Sequence, residues 1–215
     1  MSIPYEQDQK DRVPFETYKA RFAASDPELL SQVSGVPYDP QTGLFTVRLM
    51  NKRYTIHFPD FAVVCLDNDG TYAPLLSDMA SKILLVRYLL EAKRVPFKGE
   101  FYAYADMPWG NHYNQVFQGR CVKRLAFSFG FQLDRFCQVM ELVGGTKLSV
   151  GDAGYEFAFL DELRLQFLLW EGDEEFPPSA QILFSDNFSS AFAGEDMAYV
   201  GDISIGTLKA LAKGL

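Results

Sequence analysis

Apolar positions recur in this chain with two different periods, and the change from one to the other divides it into segments. Phe15, Tyr18 and Phe22 stand at helical spacing in an otherwise polar, proline-interrupted stretch of 1 to 40 and predict a short amphipathic helix. Asp26, Pro27 and Glu28 predict a second helix start, with a capping carboxylate, a proline suited to the first turn and an acid at the positive dipole end. Gly35 and Pro37 end it. From Leu44 to Met50 the period changes to two: Phe45, Val47 and Leu49 share one face, while Leu44, Thr46, Arg48 and Met50 share the other. Asn51-Lys52 then reads as a tight turn into a strand at 53 to 58, and a third strand at 61 to 66 ends at Asp67-Asn68-Asp69-Gly70. These three make an antiparallel meander.

Ser77-Asp78 caps a helical run from Met79 to Lys93 whose stripe of Met79, Ile83, Val86 and Leu90 is widened by Leu84, Leu85 and Leu89. Two more helices are predicted at about 112 to 127 and 133 to 143, the second stopped by Gly144-Gly145. Alternation returns in Tyr155, Phe157 and Phe159 and in Leu163, Leu165, Phe167 and Leu169, a hairpin turning near Asp161-Glu162. A strand at 181 to 184 and a weaker helical stripe from Met197 to Leu211 complete the pattern. Strands, then helices, then strands predict an α+β fold, an antiparallel sheet or sheets packed with several helices, rather than alternating βαβ units. We read residues 1–215 as a single α+β domain, with subdivision near 75 and 150 left open.

The run Leu168 to Pro177, with its Trp170-Glu171-Gly172-Asp173-Glu174-Glu175-Phe176-Pro177 string, followed by Ile182-Leu183-Phe184, resembles the signature stretch of an uncharacterised domain-of-unknown-function family (DUF3786-like) of anaerobic bacteria and archaea. Gly144-Gly145, Gly151-Asp152, Ser34-Gly35, the Leu84 to Leu90 helix and Glu195-Asp196 also fall where that family's pattern expects them. The resemblance covers almost the whole chain and implies membership but no activity. Some relatives carry a four-cysteine segment similar to the iron–sulfur domain of corrinoid proteins in one-carbon metabolism. This chain lacks it, so the resemblance implies a metabolic context and no cluster.

Composition narrows the function classes. With 48% hydrophobic and 22% charged residues, the 215-residue chain has the balance of a soluble globular protein. Its net charge of -8 opposes binding to nucleic-acid backbones and to acidic membrane surfaces. The charge is uneven: residues 1–151 hold 17 bases and 16 acids, whereas 152–215 hold 3 bases and 12 acids. The early segment is therefore expected to dock bases such as Arg120, Lys123 or Arg124, which share one helix side, against the acidic last third. No apolar run approaches the ~20 residues that span a bilayer, and the amino-terminal residues lack a secretory pattern, so a cytoplasmic location is expected. Cys65, Cys121 and Cys137 form no Cys-x-x-Cys pair, which leaves no motif for iron–sulfur or zinc, and they read as buried free thiols.

Candidate chemistry gathers in three places. Glu171, Asp173, Glu174 and Glu175 crowd one loop; solvation, pairing with a base, or a hard cation would relieve their repulsion, and Glu171, Asp173 and Glu174 are the candidate metal ligands. Gly172 and Pro178 are expected to hold that loop in one shape. Asp152 sits in a Gly-Asp turn and could orient towards a pocket. Trp109, His112 and Tyr113 precede or open a helix and, with Glu174 and Glu175 of the acidic loop, are candidate ligand-binding residues, with His112 able to move protons near neutral pH. Asn111 is expected to cap that helix while Trp109 packs on the core. Asp67 to Gly70 does not continue as a calcium loop, because Tyr72 and Asp78 occupy the positions that need Gly and Glu. Gly144 to Lys147 lacks the spacing of a phosphate loop, and two histidines, His57 and His112, cannot build a three-histidine zinc site. The reading that follows is a ligand- or partner-binding accessory of anaerobic metabolism with an acidic functional loop, its partner an unknown small molecule or protein. The alternative is an enzyme using Glu171, Asp173 or Asp152 with help from His112.

Overall fold

A computed structural model describes residues 5–215, with side chains from Val13 onward. Two helices come first, α1 (Tyr5–Ala23) and α2 (Pro27–Ser34). The predicted short helix is longer than expected, since α1 continues through Pro14; Phe22 is wholly buried and Phe15 and Tyr18 pack against the core. In α2 the expected cap is in place: the Asp26 carboxylate accepts the Glu28 and Leu29 N–H groups, and Gly35 closes the helix at φ 78°.

Strand β1 (Tyr38–Asp39) pairs with β2 (Leu44–Leu49), which pairs with β3 (Lys52–His57) and through it with β4 (Val63–Cys65). The meander is as predicted, but the β2–β3 turn lies one residue earlier than expected, on Met50 and Asn51 at φ 44° and 69°. Two consecutive left-handed residues match the right-handed twist of the flanking strands, which a turn on Lys52 would not. Strand β4 is shorter than the predicted 61 to 66 because Phe61 turns at φ 56° to bury its ring.

The Asp67 to Gly70 segment is turn chemistry. Asp67 accepts the Arg53 backbone N–H (2.8 Å) and its guanidinium, which hold the carboxyl down at about 2. A depressed acid stabilises the fold above the ordinary 3.8 and loses that contribution as the pH falls through about 2. In Arg53→Ala, the acid limb of stability between about pH 2 and pH 4 should flatten, as checked by denaturant melts across that range.

The short helix α3 (Pro74–Ser77) leads to α4 (Met79–Glu91), capped by Asp78 as predicted. After β5 (Phe101–Ala103) and a 3-10 turn at Tyr104–Asp106 comes a long helix: α5 (Gly110–Phe117), a π-helical turn at Gln118–Val122, and α6 (Lys123–Phe129). Next are α7 (Leu133–Leu142), β6 (Thr146–Leu148), β7 (Ala153–Leu160), β8 (Leu163–Trp170), β9 (Ser179–Ser185), α8 (Phe188–Ala191) and α9 (Gly194–Ala212).

The fold is α+β. One antiparallel nine-stranded sheet runs β4-β3-β2-β7-β8-β9-β5, with β1 beside β2 and β6 beside β7. The meander and the later hairpin join through Leu49 opposite Leu160 and the bonds Met50 N–H to Phe159 O (2.8 Å) and Asp161 N–H to Arg48 O (3.0 Å). Helix α6 lies on β8 and β9, α7 lies on β7, and α9 packs against α4, α5, α6 and α7. Because α9 is covered on several sides, its buried residues do not form one stripe, which explains its weak periodicity. The expected docking of bases occurs on α9: Asp202 pairs with Arg120 (2.8 Å) and with Arg124. The Arg120 guanidinium also lies 4.2 Å from the Tyr199 ring centroid. Among the described residues, no helix is long and apolar enough to cross a membrane.

Candidate functional site

The acidic loop is built as an exposed, fixed turn. Asp173 Oδ1 accepts the N–H groups of Glu175 (2.8 Å) and Phe176 (2.7 Å), and those bonds lower its pKa from the ordinary value. Gly172 N–H donates to Gly130 O (3.0 Å), and buried Pro178 fills the space between these two glycines, where a methyl group on either would overlap it. The loop is thus held in one shape, as Gly172 and Pro178 predict. Glu171, Asp173, Glu174 and Glu175 are all exposed, and among the described residues no base pairs with them. Their exposure leaves the repulsion open to screening by water and salt. Among the described residues no three His, Cys, Asp or Glu side chains group closely enough to hold a metal ion, and Glu171, Asp173 and Glu174 are no exception.

Asp152 does approach this loop, but its Oδ2 is engaged by the Glu171 backbone N–H (2.8 Å), so it pins the end of β8. His112 lies elsewhere. It sits in the first turn of α5, exposed, whereas the far end of the same long helix, Gly130, carries the acidic loop. Twenty helical residues separate those ends by about 30 Å. The structure therefore brings Asp152 to Glu171 through the backbone alone and does not assemble either residue with His112.

The expectations for Trp109 and Asn111 need correction. Trp109, not Asn111, occupies the cap position of α5, without a side-chain cap bond. Its indole is 76% exposed rather than packed on the core. The reason is backbone geometry: Trp109 is left-handed at φ 66°, which swings its side chain outward beside His112, ring centroids 6.2 Å apart. Tyr113 turns inward and packs against the core. A bulky residue in this region is uncommon and costs strain that tends to be kept at functional sites.

Trp109 lines a cleft of about 350 Å³ between α4, the Pro108–Trp109 turn and the segment entering α9. In its wall Arg87 Nη1 meets Asp196 Oδ1 at 2.6 Å, and Arg87 Nε lies 3.8 Å from Glu91. Asp196, on the first turn of α9, is only 6% exposed. Burial pushes its carboxyl above the ordinary range, and Arg87 opposes that shift. Arg87 and Asp196 also line a second cleft, of about 210 Å³, shared with Tyr18 and Tyr199, so the ion pair is a partition between the two. The Arg87 guanidinium lies 5.3 Å from the Tyr18 ring centroid.

The cleft is preformed. Tyr104 is 1% exposed and stacks on Phe117 with centroids 4.1 Å apart. Its hydroxyl donates to Gly194 O (2.6 Å), and its own carbonyl presses on Gly110 where no side chain could fit. One tyrosine therefore ties the Trp109 turn to the first turn of α9. The sequence reading missed Arg87 as a site residue. The available signals were that the apolar run of α4 stops at Arg87 and that Glu195-Asp196 forms an acidic pair at a helix start; 109 positions separate the partners.

The cysteines contribute no reactive group to this cleft. Cys121 is fully buried against Ala198 O, and burial pushes its thiol up to about 12. Cys65 is buried, while Cys137, expected to be buried, is partly exposed. A family model described as Domain of unknown function (DUF3786) matches residues 26–207. No curated protein and no solved structure matches the chain.

Proposed function

We propose a small-molecule-binding role for this chain, which belongs to the DUF3786 family of domains of unknown function. The ligand occupies the Trp109 cleft and rests on the Arg87–Asp196 pair. The observation that carries this reading is the placement of a carboxylate more than nine-tenths buried, with its guanidinium partner, in the wall between two clefts beneath an exposed, left-handed tryptophan. Such a site takes a ligand with a flat or hydrocarbon face for the indole and with both donors and acceptors for the ion pair. Its setting as an accessory of anaerobic metabolism rests on the family resemblance alone, and its cytoplasmic location on the absence of a spanning run or secretory pattern in the sequence.

Trp109 and Trp170 are the two tryptophans of the chain, so a Trp170→Phe variant reports Trp109 alone. Fractions of a small-molecule extract are titrated into it while indole emission is followed. A saturable change in one fraction supports the role. Trp109→Gly, which relieves the left-handed strain, should leave the fold as stable or up to ~1 kcal/mol more stable. It should also lose retention of that fraction in equilibrium dialysis; undiminished retention would remove the cleft as the site.

A further inference from the structure

We propose that a second groove, remote in sequence from the Trp109 cleft, binds a small oxyanion, a carboxylate or a phosphate group. The groove has a volume of about 380 Å³ and lies between the β2–β3 hairpin, the loop after β4, the end of α7 and the last turns of α9. A count of its donors and acceptors points to the ligand.

Most of the acceptors are occupied. Asp69 Oδ1 takes Lys52 Nζ (2.7 Å), Thr71 N–H (3.0 Å) and the Thr71 hydroxyl (2.6 Å). Asp67 is engaged by Arg53 through backbone and guanidinium. The Leu142 carbonyl at the end of α7, the negative pole of that helix, accepts from Asn51 Nδ2 (3.3 Å).

The donors are in surplus. Arg48 bonds Asp161 only through its backbone N–H (3.1 Å), and among the described residues no carboxylate pairs with its guanidinium. The Lys52 side chain is 12% exposed and spends two of its three N–H bonds, on Asp69 and on the Asp67 carbonyl. Thr207 lines the groove from α9, is 3% exposed, and its hydroxyl has no hydrogen-bond partner. A buried hydroxyl left unpaired costs stability, which a protein keeps where a ligand repays it. The charges that line the groove balance, Arg48 and Lys52 against Asp67 and Asp69, so it is the surplus of N–H and O–H donors, and not net charge, that favours an anion. Surplus donors on cationic side chains select an oxyanion.

Calorimetric titration of the full chain with inorganic phosphate and, separately, with acetate, at fixed ionic strength, tests this. Saturable heat with one anion is expected and identifies which chemistry the groove takes. Arg48→Ala should weaken binding about 10-fold or more, the loss of one charge-assisted contact, and Arg48→Lys should restore part of it. Thr207→Val, nearly isosteric, should melt at a higher temperature than the parent and bind the anion more weakly. Absence of saturable heat with both anions would overturn the proposal. So would an unchanged affinity in a folded Arg48→Ala, or a Thr207→Val protein that binds as the parent does.

Discussion

Replacing Gly110 by alanine is expected to cost about 3 kcal/mol of stability and to dismantle the Trp109 cleft. The added methyl group would overlap the backbone carbonyl of Tyr104. That carbonyl cannot retreat cheaply, because Tyr104 is 1% exposed, stacked on Phe117 and bonded through its hydroxyl to Gly194 O. Relief must therefore come from displacing the turn that carries Trp109. Chemical denaturation of the purified variant gives the stability, and its indole emission reports the displacement. A Gly110→Ala protein with the parent's midpoint and emission would show that the close approach is not a constraint. Gly119, inside the π-helical turn, has nothing near the place of an added methyl group, and Gly119→Ala should be tolerated.

Replacing Arg87 by methionine is expected to destabilise the protein by about 3 kcal/mol at neutral pH. It leaves Asp196 charged and buried without its partner. The estimate lies at the low end for a buried pair, since the Arg87 side chain keeps 28% exposure. The loss has a pH signature. Burial already raises the Asp196 carboxyl above 3.8, and Arg87 is what holds the shift in check. Without Arg87 the folded state binds that proton more tightly than the unfolded state does, so stability rises as the pH falls from neutrality towards 3.8. Arg87→Met should thus recover part of its deficit on mild acidification, measured by urea midpoints at a series of pH values. The double variant Arg87→Met, Asp196→Leu should regain stability at all pH values, because an apolar pair leaves no buried charge. A pH-independent deficit in the single variant would mean that Asp196 is not the group left exposed to the change.

Much of the fold is legible in the sequence where a local pattern and a local signal coincide. The caps at Asp26 and Asp78, the alternation of β7 and β8 and the glycine stop after α7 each need only neighbours in the chain. The misses have the same physical origin. The short strands β1, β5 and β6 have two or three residues each, too few to establish a period, and exist because a longer strand supplies their partners. The outward turn of Trp109 goes with one positive φ, next to the close Tyr104–Gly110 approach, which no spacing rule reports. The acidic loop drew attention because its charges are contiguous, yet contiguous charges repel and solvate. The buried ion pair joins residues 109 positions apart, and its two signals, an arginine ending an apolar run and an acidic pair at a helix start, do not point to each other. The docking of Arg120 and Arg124 on Asp202 shows the converse: a charge imbalance between the first 151 residues and the acidic last third is legible, and with it the bases, even when their acidic partner is not.

The most direct test of the central claim, that the Trp109 cleft and not the acidic loop is where this protein binds its ligand, is a crystal structure of the native protein with the small molecule it retains through purification. The account predicts that molecule against the indole of Trp109 and within hydrogen-bonding distance of Arg87 or Asp196. A molecule bound instead to the carboxylates of Glu171, Asp173, Glu174 or Glu175, with the cleft unchanged, would contradict it.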